Sequence, residues 1–389
     1  MDCFRFVSFL PMKKSGLIAL IFCLFQAPLL AQVKASFAGQ LSASGSTVKN
    51  NKFEYGLGGQ YIPEFSLDWE LDSLRHWDVF VSARMQGSLS FQDFSESEIN
   101  GKAKAYRVWT RFRGEQYELR LGLQKIDFGS ATLLRPLQWF GQIDPRDPLG
   151  ITNGVYGILG RYYFENNANI WLWALYGNEE RKGSEILETR KHYPEFGGRF
   201  QFPVPKGEMA LSYHFRQADS APLSLLFSNE KTPEHRLGLD AKWDMVVGFW
   251  LEASQVYKTK KLGLLTHQSM LSAGVDYTFG WGNGLNVSSE HMVSNYSERP
   301  FSSGRFVQTS ALSANYPLGF SDRLQFIHYL NWKSTSLSFF LSYEHQFTHF
   351  AGYLMLFSNS ESGGPLTEIT ENAYDLGRYG LRIMLVYNH

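Results

Sequence analysis

The sequence predicts an all-β chain folded as a transmembrane antiparallel β-barrel of about 18 strands, with 16 as the alternative, and with one loop turned inward. Three observations carry this. Through most of residues 34–388 every second residue is apolar, a period of two that sends one set of side chains to each face of a strand. The connections between those segments alternate short and long, as they do in barrels with tight turns on one side of a membrane and loops on the other. Aromatic residues make up 16% of the chain, in keeping with rings gathered at two membrane–water interfaces.

Residues 1–31 read as a targeting segment. Lys13 and Lys14 precede the apolar run 17–30, and Ala31 supplies the small residue before a cleavage point. An uncleaved anchor helix is the rival reading, but the run is short for a span of about 20 residues. Met1 and Met12 are both compatible starts. The two cysteines, Cys3 and Cys23, lie in this segment. The single domain that follows, 32–389, therefore has no disulfide, no thiolate metal ligand and no thiol chemistry. Without Asp2, Arg5, Lys13 and Lys14 its net charge is about −2, which offers nucleic acid no foothold.

In chain order the strands are expected near 34–42, 53–70, 77–90, 103–113, 116–125, 154–164, 168–177, 195–203, 207–217, 234–244, 247–258, 268–280, 284–294, 305–316, 322–332, 335–346, 350–358 and 377–388. The clearest sets Trp77, Val79, Val81, Ala83, Met85 and Leu89 against Asp78, Ser82, Arg84, Gln86 and Ser88. Tyr117, Leu119, Leu121 and Leu123 likewise oppose Glu118, Arg120, Gly122 and Gln124. In the last strand Tyr379, Leu381, Ile383, Leu385 and Tyr387 face away from Arg382. That strand resembles the signal by which outer-membrane barrels are handed to their assembly machinery, although Asn388 and His389 stand where an aromatic terminus is usual.

Connections 113–116, 165–168, 203–207, 244–246, 280–284, 317–322 and 346–350 are short. Those at 90–102, 125–153, 177–194, 217–233, 295–304 and 358–376 are longer, and 332–335 breaks the alternation. An even strand number then places both termini on the short-turn, periplasmic side of an outer membrane, with outer-membrane lipid around the belt.

Connection 125–153 is unlike a surface loop. It carries Leu133, Leu134, Leu137, Trp139, Phe140 and Ile143, which need burial, and prolines at Pro136, Pro145 and Pro148, which limit its backbone. The expectation is a constriction loop folded into the lumen; packing over the rim is the alternative. The phrase Leu121-Gly122-Leu123-Gln124-Lys125-Ile126-Asp127-Phe128-Gly129, followed by Asp144-Pro145-Arg146-Asp147-Pro148, resembles a stretch of porin-like outer-membrane proteins that include alginate-export-type barrels. Leu123 stands where those families often have arginine. The resemblance implies a barrel of 18 or so strands that passes polar or anionic solutes passively.

Parity places Arg107, Arg111, Arg113, Arg120, Gln124 and Arg161 on the lumen face. With Arg135, Trp139, Asp144, Arg146 and Asp147 of the long loop they are the candidate pore-lining and constriction residues. Arginine forks suit carboxylate or phosphate, and basic rings favour anions in pores. The competing reading is that Glu118, Asp127, Asp144 and Asp147 pair with these arginines and stiffen the wall. The function expected is a channel for small polar, anion-leaning solutes, with no cofactor. A non-conducting surface or assembly barrel, binding a partner through loops near 181–192 and 361–374, is the alternative. A hydrolase is weaker, since no Ser/His pair has diagnostic spacing, His328 lies alone on an apolar face, and Glu344 and His345 point to opposite faces.

Overall fold

The computed structural model describes residues 32–49, 52–92, 96–220, 231–359 and 379–389. The leader expected at 1–31 and the outer segment near 361–374 lie outside the described residues. The strands are β1 (Gln32–Lys49), β2 (Phe53–Glu70), β3 (His76–Gln92), β4 (Glu96–Arg113), β5 (Tyr117–Gln124), β6 (Val155–Tyr163), β7 (Asn169–Leu175), β8 (Glu195–Val204), β9 (Gly207–Asp219), β10 (Lys231–Asp244), β11 (Gly248–Lys258), β12 (His267–Phe279), β13 (Leu285–Ser297), β14 (Arg305–Pro317), β15 (Asp322–Asn331), β16 (Ser336–Gln346), β17 (Phe350–Ser358) and β18 (Tyr379–Asn388). Each pairs antiparallel with its neighbours in sequence, and β1 pairs with β18 from Gln40↔Asn388 to Lys49↔Tyr379. The sheet thus closes on itself. Closure matters in a bilayer because an open edge would leave backbone N–H and C=O groups without partners in hydrocarbon.

Alternation sets the two faces. Along β9, Leu211 and Tyr213 are exposed while Ser212, His214 and Arg216 are buried. The same inversion of a water-soluble protein recurs around the barrel: Phe37, Leu57, Leu172, Leu237 and Ile383 look outward, and charged and hydroxyl side chains look in. This is the arrangement a lipid exterior and a polar interior select.

Most strand limits fall within a few residues of those expected. The ends of β1 and β4 away from the short turns are the exceptions. Both run to 18 residues, where a tilted membrane strand needs about 9–11. Most of the outer connection expected at 90–102 is therefore strand. The extra residues, 43–49 and 96–102, are rich in Ser, Gly, Thr and Lys. Beyond the apolar belt water bathes both faces, so no apolar alternation is imposed there and the period fades.

Candidate functional site within the barrel lumen

The 125–153 connection leaves the wall after β5 and turns into the barrel. Its start is fixed by Gly122. At φ +124° this residue occupies backbone space closed to other side chains, and a Cβ there would sit 2.2 Å from the Val108 carbonyl oxygen. Gln124, fully buried, donates to the carbonyl of Gly157 at 3.0 Å and so ties β5 to β6 where the loop departs.

Two inward carboxylates on the far wall hold the loop. Glu290 of β13 accepts from the backbone N–H groups of Thr132 (2.7 Å), Leu133 (3.0 Å) and Leu134 (2.5 Å), from the Thr132 hydroxyl (2.9 Å) and from the Trp250 indole (3.1 Å). Glu252 of β11 accepts from the N–H groups of Ala131 (3.0 Å) and Leu137 (2.5 Å). A loop with no ladder partners must satisfy its N–H groups elsewhere, and charged acceptors do so strongly. The apolar residues then pack. Phe128, Trp139 and Phe140 form an aromatic cluster with Trp173 of β7 and His214 of β9, and the Trp139 indole donates to Ser254 at 3.1 Å. On the other side Leu133 and Leu149 meet Ile327, Met355, Phe357 and Met384 of β15, β17 and β18. The loop therefore bridges the lumen from wall to wall, as its composition led one to expect.

A second inward loop, 176–194, packs on the first. Ser184 N–H donates to the Gln138 carbonyl (3.0 Å) and the Gln142 amide donates to the Gly183 carbonyl (2.8 Å). Its Lys182 and Glu185 join Glu195, Arg216, Glu234, Arg236 and Lys258 in a buried ionic network. In the stretch near 181–192, one of the loops through which the alternative reading would bind a partner, Lys182, Glu185, Leu187 and Thr189 are buried while Arg181, Glu188, Lys191 and His192 stay exposed. Its buried charges are polar in composition yet neutralise one another inside the barrel.

The two halves of the lumen now differ. On β9–β13 the inward His214, Arg216, Glu234, Glu252 and Glu290 are at most 1% exposed. On β1 and β2 the inward Ser44, Ser46, Gly56, Gly58 and Gln60 keep partial exposure. Beside this small-residue wall stand Arg84, Lys104 and Arg107. Each hydrogen-bonds a neutral oxygen: Arg84 to Gln60 (2.6 Å), Lys104 to Asn153 (3.3 Å), and Arg107 to the carbonyl and hydroxyl of Thr152 (2.9 and 2.8 Å). Arg107 thereby also clamps the returning end of the loop. Asp147, in the loop, accepts from Leu149 and Ile151 N–H; burial raises its carboxyl above the ordinary range despite those bonds.

The other expected residues do not gather into one basic zone. Arg135 pairs with Asp127 and Arg146 with Asp144 inside the loop, both at 2.9 Å. Arg111, Arg113, Arg120 and Arg161 cluster at the short-turn end around Asp78 and Glu118. Glu118, Asp127 and Asp144 are partners that the competing reading named; Asp78 is not. Sequence reasoning missed Glu252, Glu290 and Lys104 as inward groups. Among the described residues no group of three or more His, Cys, Asp or Glu side chains is placed to hold a metal ion.

No family model matches the sequence, and no curated protein does. Solved structures share its fold. OccAB1 of Acinetobacter baumannii is 9% identical, with a TM-score of 0.59 over 91% of this chain and 96% of that one. OccK8 (OprE) of Pseudomonas aeruginosa is 11% identical, with a TM-score of 0.55 over 92% and 98%. Wzi of Escherichia coli, an outer-membrane protein involved in group 1 capsule assembly and a carbohydrate-binding β-barrel, is 13% identical, with a TM-score of 0.54 over 97% and 89%. At such identities the likeness is one of fold.

Proposed function

We propose that the chain is an outer-membrane channel, porin-like and without catalysis, through which small polar solutes, anions preferentially, pass down their gradients. The 125–153 loop sets the aperture. Solute moves between that loop and the wall of β1–β4, both termini lie in the periplasm, and β18 is the strand presented to the assembly machinery. One observation carries the reading. Where the lumen keeps exposure, the wall is small and hydroxylated, and the cations beside it, half-buried Lys104 and buried Arg84 and Arg107, bond neutral oxygens, which leaves their charge available to a passing anion. The fold shared with OccAB1 and OccK8 supports it.

Planar-bilayer recording of the refolded 32–389 chain tests this. A stable, anion-favouring current is expected, and deletion of 132–142 raises the single-channel conductance. Unchanged conductance after that deletion would sink the constriction role. The filled half of the lumen favours a second reading, a closed surface barrel that binds a partner, and the likeness to Wzi spans 97% of the chain. Complete absence of current in both proteins would select it.

A further inference from the structure

We infer a separate oxyanion-binding site at the short-turn mouth of the barrel, on β3–β6, formed by Arg111, Arg120 and Arg161 around Glu118. Strand register puts its charges in two adjacent rows. In the first, Asp78 stands opposite Arg111, and Arg111 opposite Arg120. In the second, Arg113 stands opposite Glu118, and Glu118 opposite Arg161. Two arginines directly across a strand pair repel each other, and this wall keeps such a pair.

The carboxylates within reach do not neutralise it. Asp78 is engaged by Arg111 at 2.5 Å, with Arg113 at 3.9 Å. Asp68 of β2 stands opposite Asp78, hydrogen-bonds it, and also interacts with the charges of Arg113 and Arg111. Glu118 serves Arg120 (2.9 Å) and Arg161 (3.7 Å) and lies 3.6 Å from Arg111, which Asp78 already engages. The Nε–H groups of Arg120 and Arg161 are buried with no acceptor. These two donors are buried and unused, and unused buried donors are costly.

The geometry is nonetheless fixed. Arg120 lies over the Trp109 ring at 4.7 Å and Arg161 over Trp171 at 3.8 Å, while Phe80 stacks on Trp109 at 5.3 Å. Arginine edges held in place by aromatic faces are pre-organised to accept a planar or tetrahedral oxyanion bidentately. Arg113, with 44% of its side chain exposed, opens the group to water at the mouth. The surplus of one to two positive charges suits a phosphate, sulfate or carboxylate group. The site is distinct from the Arg84–Lys104 wall, which lies about 20 Å further along the same strands at 3.3 Å per residue. Glu118 occupies part of it as an internal competitor.

Calorimetric titration of the refolded 32–389 chain in micelles with sodium phosphate, against chloride at equal ionic strength, tests the assignment. Saturable one-site binding is expected, with a change in tryptophan fluorescence from Trp109 and Trp171. Arg120→Gln with Arg161→Gln should weaken it roughly tenfold or more, and Glu118→Gln should tighten it about threefold or more by removing the competing carboxylate. A purely structural Glu118 would instead give equal or weaker binding in Glu118→Gln. That result, or no saturable binding of phosphate, sulfate or acetate by either the parent or Glu118→Gln, overturns the site. If the double arginine variant fails to fold, the direction of the Glu118→Gln shift still decides. Binding without any bilayer current would remove the channel reading alone; anion-selective current without saturable binding would remove this one alone.

Discussion

Glu290 gathers three backbone N–H groups, a hydroxyl and an indole on one carboxylate, and only a charged group with several lone pairs can serve so many donors. Glu290→Gln keeps one acceptor oxygen and turns an amide N–H₂ toward donors. We expect it to cost about 2–3 kcal/mol of stability, the scale of hydrogen bonds to charged groups, and to make single-channel current noisy; denaturant unfolding and bilayer recordings check both. Asp147 behaves oppositely. Burial, its largest influence, raises its carboxyl from 3.8, while Leu149 and Ile151 N–H groups partly offset this. The folded chain then holds that proton more tightly than the unfolded one. Stability contributed at this position falls as pH rises from the ordinary value to the raised one, and is constant above it. Asp147→Asn should flatten that stretch of the Tm–pH profile; an unchanged slope would reject the assignment. Neither role was legible in the sequence. Every inward position on a strand is expected to be polar, and nothing local marks Glu290 as the one that meets a loop 158 residues away.

Whole elements were far easier to read. Lipid imposes a period of two on each strand regardless of its partners, so Leu211, Leu237 and Ile383 announce their face by themselves. The long loop announced itself by misplaced apolar residues, of which Leu134, Leu137, Trp139 and Phe140 are buried. The 176–194 loop gave no such signal, since its buried Lys182 and Glu185 look like any solvated pair until Arg216 and Arg236 come round to meet them. The contact between these two loops turns on Gly183. It sits at φ +50°, and a Cβ there would lie 1.6 Å from the Gln138 carbonyl oxygen. Gly183→Ala should undock the second loop while leaving the strands intact. Left-handed strain alone is about 1–2 kcal/mol, so trypsin cleavage in 181–191 should rise roughly tenfold or more. Unaltered proteolysis would show that the loops hold independently of this contact.

At the scale of the whole molecule the barrel has a filled sector on β9–β13 and a wetter one on β1 and β2, with Arg84 and Lys104 beside it. Residues 32–389 carry a net charge of about −2, so the anion preference proposed for this chain must come from placement rather than from net charge. The placement is Arg84 and Lys104, directly opposite each other on β3 and β4 and hydrogen-bonded to Gln60 and Asn153. Their field acts where solute passes close by, and salt weakens it: the screening length is about 10 Å at 0.1 M and about 3 Å at 1 M. Arg84→Gln with Lys104→Gln should therefore move the reversal potential in a 0.1 M-scale salt gradient toward zero, and the difference from the parent should shrink at about 1 M. Arg107 is the wrong residue for this test, because it also clamps Thr152 and its loss would shift the loop. A reversal potential unmoved at low salt would mean that these two cations do not face the solute path, and the wetter sector would lose its role as the conduit.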